Sequence, residues 1–101
     1  MPLPILTDLG LTNHEATAYE LLLRMGESPV ADLIKEMGVH SQIVYRALEG
    51  LEEKNLVMTS FRRHRKYVQA EDPTLLRRFE ERKLQELDQV LPQLLSLKSN
   101  S

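Results

Sequence analysis

Between Pro29 and Lys54 the chain reads PVADLIKEMGVHSQIVYRALEGLEEK, and Gly38 divides this stretch into two runs of helical period. In the first run Val30, Leu33, Ile34 and Met37 recur at spacings that place them on one helix face. Gly38 follows at once, where a helix end favours a residue free to take positive φ. In the second run Val44, Ala47, Leu48 and Leu51 share a face. Ser41, Gln42, Tyr45 and Arg46 gather at its N-terminal end, on the sides that face leaves over. Two helices of this size joined by a three- or four-residue glycine turn form a helix-turn-helix, whose second helix, here Ser41–Lys54, is the one that enters a DNA major groove.

Length limits what can surround this pair. With 101 residues there is room for one small domain and one extra element. Hydrophobic residues make up 42% and charged residues 28%, the balance of a globular chain. Cysteine is absent, which excludes a disulfide framework and any thiolate metal site. The N-terminal MPLPILTDLGL has no basic leader, and no apolar run approaches the ~18 residues of a membrane span, so a soluble, cytoplasmic protein is expected. The net charge of −2 argues against a purely electrostatic nucleic-acid binder. Its distribution argues the other way: no acidic residue lies between Glu53 and Glu71, while Lys54, Arg62, Arg63, Arg65 and Lys66 all do. DNA contacts are made by local patches.

Ahead of the central pair, Ile5–Leu9 reads as a short helical turn closed by Gly10. Thr12 then opens a helix through the capping box Thr12-Asn13-His14-Glu15. Ala16, Tyr19, Leu22 and Leu23 carry its apolar stripe to Met25, and Gly26 stops it. Ser28 and Pro29 are expected as N-cap and first residue of the next helix. Asn55 suits the left-handed position after the second helix of the pair.

Beyond Asn55 the helical period is lost. Leu56–Ser60 and Lys66–Ala70 read as paired strands, with Phe61-Arg62-Arg63-His64-Arg65 as a basic hairpin tip. Strand, basic tip and strand directly after a helix-turn-helix are the layout of a winged helix. The tip cations then lie along a phosphate backbone or reach a neighbouring minor groove.

Asp72-Pro73 repeats the cap-plus-proline pattern and opens a long helix to about Leu91. Leu84, Leu87, Leu91 and Leu94 step by three, four and three residues, a short coiled-coil seam. The row either zips two chains together, the reading preferred here, or folds back on its own domain. Leu76 and Phe79 fall outside its frame, so either the seam slips or those two pack on the domain. Pro92 predicts a kink or an end just before it, because the ring clashes with the Asp88 carbonyl. Ser99-Asn100-Ser101 is expected to fray. Residues 1–72 thus form a winged helix-turn-helix domain, mainly α with a small β-hairpin, and residues 73–101 a C-terminal dimerisation helix.

The runs LGLTNHEATAYELLLRMG, VADLIKEMGV and VYRALEGLEEKNLV, followed by RKYVQAEDP, resemble the N-terminal DNA-binding domain of TrmB-type transcriptional regulators over about Ile5–Leu97. Its most diagnostic residues are Leu11, Glu15-Ala16, Tyr19, Val44-Tyr45 and Leu51-Glu52-Glu53-Lys54 leading into Leu56-Val57. The resemblance implies a winged helix that pairs through the helix after the wing. Many members carry a further sugar-sensing domain, which this sequence lacks; it is a short stand-alone member or a piece of a longer one, and an effector is implied only with that domain. Basic residues are usual in the family near positions 41 and 43, where this chain has Ser41 and Ile43, and Asn55 replaces a usual glycine.

The expected function is a homodimeric, sequence-specific transcriptional regulator on double-stranded DNA. Gln42 and Arg46 are the candidates for base edges, by pairing with adenine and guanine. Ser41 either donates to a phosphate or caps its helix, and Tyr45 either contacts DNA through its hydroxyl or packs. Arg62, Arg63, His64, Arg65 and Lys66 are the backbone candidates, and Leu84, Leu87, Leu91 and Leu94 the dimer seam. His14 and His40 have no partner at metal-ligand spacing, and no cofactor or metal is expected. Catalysis is not expected either. Glu52-Glu53 and Glu80-Glu81 are adjacent helical pairs pointing about 100° apart, and no glycine-rich phosphate loop occurs. The rival reading is a winged-helix protein–protein interaction module without DNA binding, since one fold serves several functions.

Overall fold

A computed structural model describes residues 2–99. In chain order the elements are α1 (Pro4–Asp8), α2 (Asn13–Met25), β1 (Ser28–Pro29), α3 (Val30–Met37), α4 (Ser41–Glu53), β2 (Val57–Arg62), β3 (Arg65–Ala70), a 3₁₀ turn (Pro73–Leu76) and α5 (Arg77–Ser99). The three strands form an antiparallel sheet in the order β1-β3-β2. Helices α1 to α4 and this sheet enclose the core, and α5 runs away from it. The principal extents, 62 × 23 × 20 Å, record that projection. The radius of gyration of 17.5 Å exceeds the ~13 Å of a compact chain this long. The architecture is a winged helix-turn-helix with a long C-terminal helix.

The core takes one face from each element. Tyr19 and Leu22 of α2, Leu33 of α3, Val44, Leu48 and Leu51 of α4, and Leu56 and Val68 are all essentially inaccessible. Each such side chain contributes about 1.5–3 kcal/mol by leaving water. Leu22 lies inside, but Leu23, expected beside it, is exposed, because the buried face of α2 turns through Glu15, Ala16, Ala18, Tyr19 and Leu22. Gly38 ends α3 at φ 66°, and Asn55 follows α4 at φ 60°, both left-handed as their residue types suggest. The Tyr19 hydroxyl donates to the Glu71 carbonyl at 2.8 Å, tying α2 to the exit of the sheet. Burial pushes the phenol's pKa up, with the carboxylates of Asp72 and Glu71 adding to the effect, so it remains a donor at neutral pH. Tyr19→Phe should therefore orphan that carbonyl and lower unfolding free energy by about 1–2 kcal/mol in a urea titration. An unchanged midpoint would show that water replaces the bond.

Several boundaries differ from the sequence expectation. Ser28-Pro29 is not the start of α3 but a short strand, pairing Ser28 with Val68 and Pro29 with Tyr67. A residue before proline is pushed to extended backbone, and the sheet uses that. The Ser28 hydroxyl donates to the Gly26 carbonyl instead of capping the helix. The hairpin is longer than expected. Phe61, Arg62 and Arg65 lie in its strands, and the turn is only Arg63-His64, at φ 52° and 66°. Two successive left-handed residues match the twist of a two-residue hairpin.

Asp72 is an N-cap as expected, accepting from the Thr74 N–H at 2.9 Å, but it opens the 3₁₀ turn rather than α5 itself. Leu76 and Phe79 pack partly buried against the core, which resolves their two readings in favour of the domain. The helix then runs through Pro92 to Ser99 without ending before the proline. Residues around it are exposed, so water can reach the Asp88 carbonyl that proline leaves unbonded. Of the tail expected to fray, Ser99 closes α5, while residues 100 and 101 lie outside the described residues.

Candidate nucleic-acid interface

The position of α4 is set by an acid that the apolar pattern does not reveal. Glu15 begins as half of the capping box: its backbone N–H donates to Thr12 Oγ1 at 3.1 Å, and its carboxylate accepts from the Thr12 N–H at 2.9 Å. The same carboxylate accepts from Lys54 Nζ at 3.0 and 3.2 Å, bridging the start of α2 to the end of α4. Glu15 is only 5% exposed, so the carboxylate half of the pair is shielded from water, while the Lys54 side chain keeps 27% of its exposure. Gly50 provides the room. A methyl group there would lie 1.7 Å from Glu15 Oε2. An isolated glycine inside an apolar helical pattern is the signal that marks such a packing need.

Held in this way, α4 turns Gln42, Tyr45, Arg46, Glu49, Glu52 and Glu53 outward. Its cap is His40, whose Nδ1 accepts from the Gln42 N–H at 3.2 Å; that assigns the capping role to His40 and leaves Ser41 as the first helical residue. Tyr45 is 44% exposed, so it is partly packed and still open to solvent. Arg46 lines a cleft of about 380 Å³ with Thr12, His14 and Ile43, so it lies on the flank of α4 nearer α2. The opposite flank meets the wing, where Lys66 Nζ stands 3.9 Å from Glu52 Oε1. Past Arg46 the exposed face becomes acidic, and phosphates are repelled from its second half.

The hairpin separates the sequence-predicted cations into two groups. Arg62 is ion-paired with Glu27 and lies over the Tyr67 ring, 4.3 Å from its centroid. Lys66 faces Glu52. Both are therefore engaged within the chain. Arg63, His64 and Arg65 are exposed, and neither arginine has an ion-pair partner among the described residues. The turn thus presents its charge outward.

The seam residues Leu84, Leu87, Leu91 and Leu94 are 38–58% exposed, and Val90, Leu95 and Leu97 widen the same apolar surface. Every described side chain from Glu80 to Lys98 is exposed, so the leucines do not fold back on their own domain. Lys83 Nζ donates to the Asp8 carbonyl at 3.0 Å and ties the early part of α5 to the end of α1. No helix is long and apolar enough to cross a membrane among the described residues, and no group of three His, Asp or Glu there is placed to hold a metal ion.

Residues 6–73 match the family model described as the sugar-specific transcriptional regulator TrmB. Among curated proteins, the HTH-type sugar sensing transcriptional regulator TrmBL1 of Pyrococcus furiosus is 38% identical over 52 residues, which span 52% of this chain and 15% of that protein. Among solved structures, TrmBL2, an archaeal chromatin protein with a novel mode of DNA binding, superposes with a TM-score of 0.73 at 26% identity, covering 89% of this chain and 35% of that one. A mutant of MepR from Staphylococcus aureus bound to an oligodeoxyribonucleotide gives a TM-score of 0.63 at 20% identity, covering 94% and 78%, a likeness of fold. The chain therefore spans well under half the length of the TrmB relatives it matches.

Proposed function

Since the chain belongs to the family of sugar-specific transcriptional regulators TrmB, a family of regulators and not of enzymes, we propose that it is a sequence-specific DNA-binding regulator acting as a homodimer. The first two turns of α4 enter the major groove and the wing tip grips the backbone. The observation that carries this reading is the tip itself: in a chain of net charge −2, Arg63, His64 and Arg65 stand outward, with no ion-paired carboxylate among the described residues. Gln42 and Arg46 read base edges, Ser41 donates to a phosphate, and the Tyr45 hydroxyl contacts the backbone beside them. Arg62 and Lys66 join only after leaving Glu27 and Glu52.

The homodimer rests on the energetics of α5. Its outer part is a helix with an internal proline whose described side chains, Glu80 to Lys98, are all exposed. Isolated helices of about 15 residues are marginal in water, and proline costs about 3 kcal/mol more. A second copy covering Leu84, Leu87, Leu91 and Leu94 supplies the missing burial. The cytoplasm is the matching location. A small-molecule effector enters the proposal only for a longer protein bearing a sensor domain.

The reading is tested at the tip. Arg63→Ala with Arg65→Ala should weaken binding to every duplex alike and flatten the log–log salt slope by about 2 units per protomer. Arg62→Ala should move the slope less, because Glu27 and Tyr67 already hold that guanidinium. A slope unchanged by the double substitution would remove the wing from the interface.

A further inference from the structure

Phe61 is the most exposed of the large apolar side chains outside the termini, at 75%, and the wing places it where chemistry gives it a use. Residues directly opposite in paired strands share a face, and alternate residues along a strand return to it. Val68, fully buried, marks the core face of the hairpin; its partner Thr59, and then the pair Phe61–Lys66, continue that face toward the tip. Lys66 meets Glu52 there, so the face carrying Phe61 is the one turned toward α4. Arg62 and Arg65, an opposite pair, occupy the other face. An unburied aromatic ring is thus set on the inner side of the wing, two residues before Arg63, the first of the two outward arginines.

We propose that Phe61 is an apolar wedge that packs against a base step in the minor groove next to the major groove entered by α4. This deepens the DNA-binding reading and rests on it. Arg63 and Arg65 bring the tip to the phosphates, and the ring then enters between the backbones. Apolar side chains used this way partly unstack a step and bend the duplex, so flexible pyrimidine–purine steps are favoured. Phe61 accordingly contributes sequence preference where the arginines contribute none. A ring whose only role is to cover the aliphatic part of Lys66 across the hairpin would affect stability and leave DNA affinity alone.

Because the chain has no tryptophan, Phe61→Trp introduces a single indole at the proposed contact. With duplexes containing TA or CA steps, the indole emission should be quenched and protected from acrylamide as the anisotropy of a labelled duplex rises. Phe61→Ala should bind the same duplexes about ten-fold more weakly, with an unchanged salt slope and an unchanged thermal midpoint. An anisotropy rise with the indole still fully open to acrylamide, or Phe61→Ala binding like the parent, would overturn the wedge and leave DNA binding intact. No anisotropy rise for the parent chain would overturn both. Phe61→Leu, which keeps an apolar side chain at this exposed position, should retain most of the affinity and serves as the check should the alanine variant fold poorly.

Discussion

Replacing Gly50 by alanine should destabilise the domain by about 2–4 kcal/mol, roughly 10–25 °C in Tm, although alanine is the better helix former. On propensity alone the change would stabilise α4 by about 1 kcal/mol. Packing decides against it. The new methyl would fall 1.7 Å from Glu15 Oε2 and 2.9 Å from its carboxyl carbon. An exposed carboxylate would swing aside at little cost. This one is nearly buried, and moving it breaks its bonds to the Thr12 N–H and to Lys54. Equilibrium urea unfolding checks the number. A double-mutant cycle with Glu15→Ala checks the cause: once the carboxylate is gone, the glycine substitution should cost little or become favourable. If Gly50→Ala alone raised the midpoint, the Glu15–Lys54 bridge would not govern the placement of α4.

The second large effect is expected on α5. Leu87→Lys together with Leu94→Lys should convert the proposed homodimer to a monomer at micromolar concentration. Two leucines per chain make four per dimer, and each buried leucine contributes about 1.5–3 kcal/mol. Losing roughly 6 kcal/mol or more raises the dimer dissociation constant by at least about 10⁴-fold. Lysine is a good helix former, and neither residue touches the core, so the thermal midpoint of the winged-helix domain should remain near its original value. Operator affinity should fall by about 100-fold or more, since each half-site then binds alone. Sedimentation equilibrium separates the outcomes. A parent chain that sediments as a monomer would remove the dimer from the account. A double-lysine variant that remains dimeric would place the interface elsewhere.

The features legible in the sequence were those with local physical causes. The capping box at Thr12-Glu15, the left-handed Gly38 and Asn55, and the strand–turn–strand after α4 depend on neighbours a few residues away. The misplaced features depend on distant partners. Ser28-Pro29 has every local mark of a helix start, yet β3 recruits it as a strand from some forty residues on. The hairpin turn lacks the Asn-Gly that usually announces it, so its length is visible only once the strands pair. At the candidate interface, the basic tip was readable from a gap in the acids, but which cations are engaged was not. Glu27, which holds Arg62, lies 35 residues away in the chain, and Glu52 reaches Lys66 only through the fold. Nothing near Gly50 in sequence explains it; its reason is Glu15, on another helix.

The most direct test of the proposed DNA-binding role is anisotropy of a labelled random duplex titrated with the chain across a salt series. The account predicts micromolar binding at low salt and a log–log slope of about −3.6 or steeper, the sum of some −0.9 for each phosphate neutralised by Arg63, Arg65 and their counterparts in the second copy. Absence of binding even at low salt would contradict it. The outward acids Glu49, Glu52 and Glu53 of α4 would then be read as the face of a protein–protein interaction module.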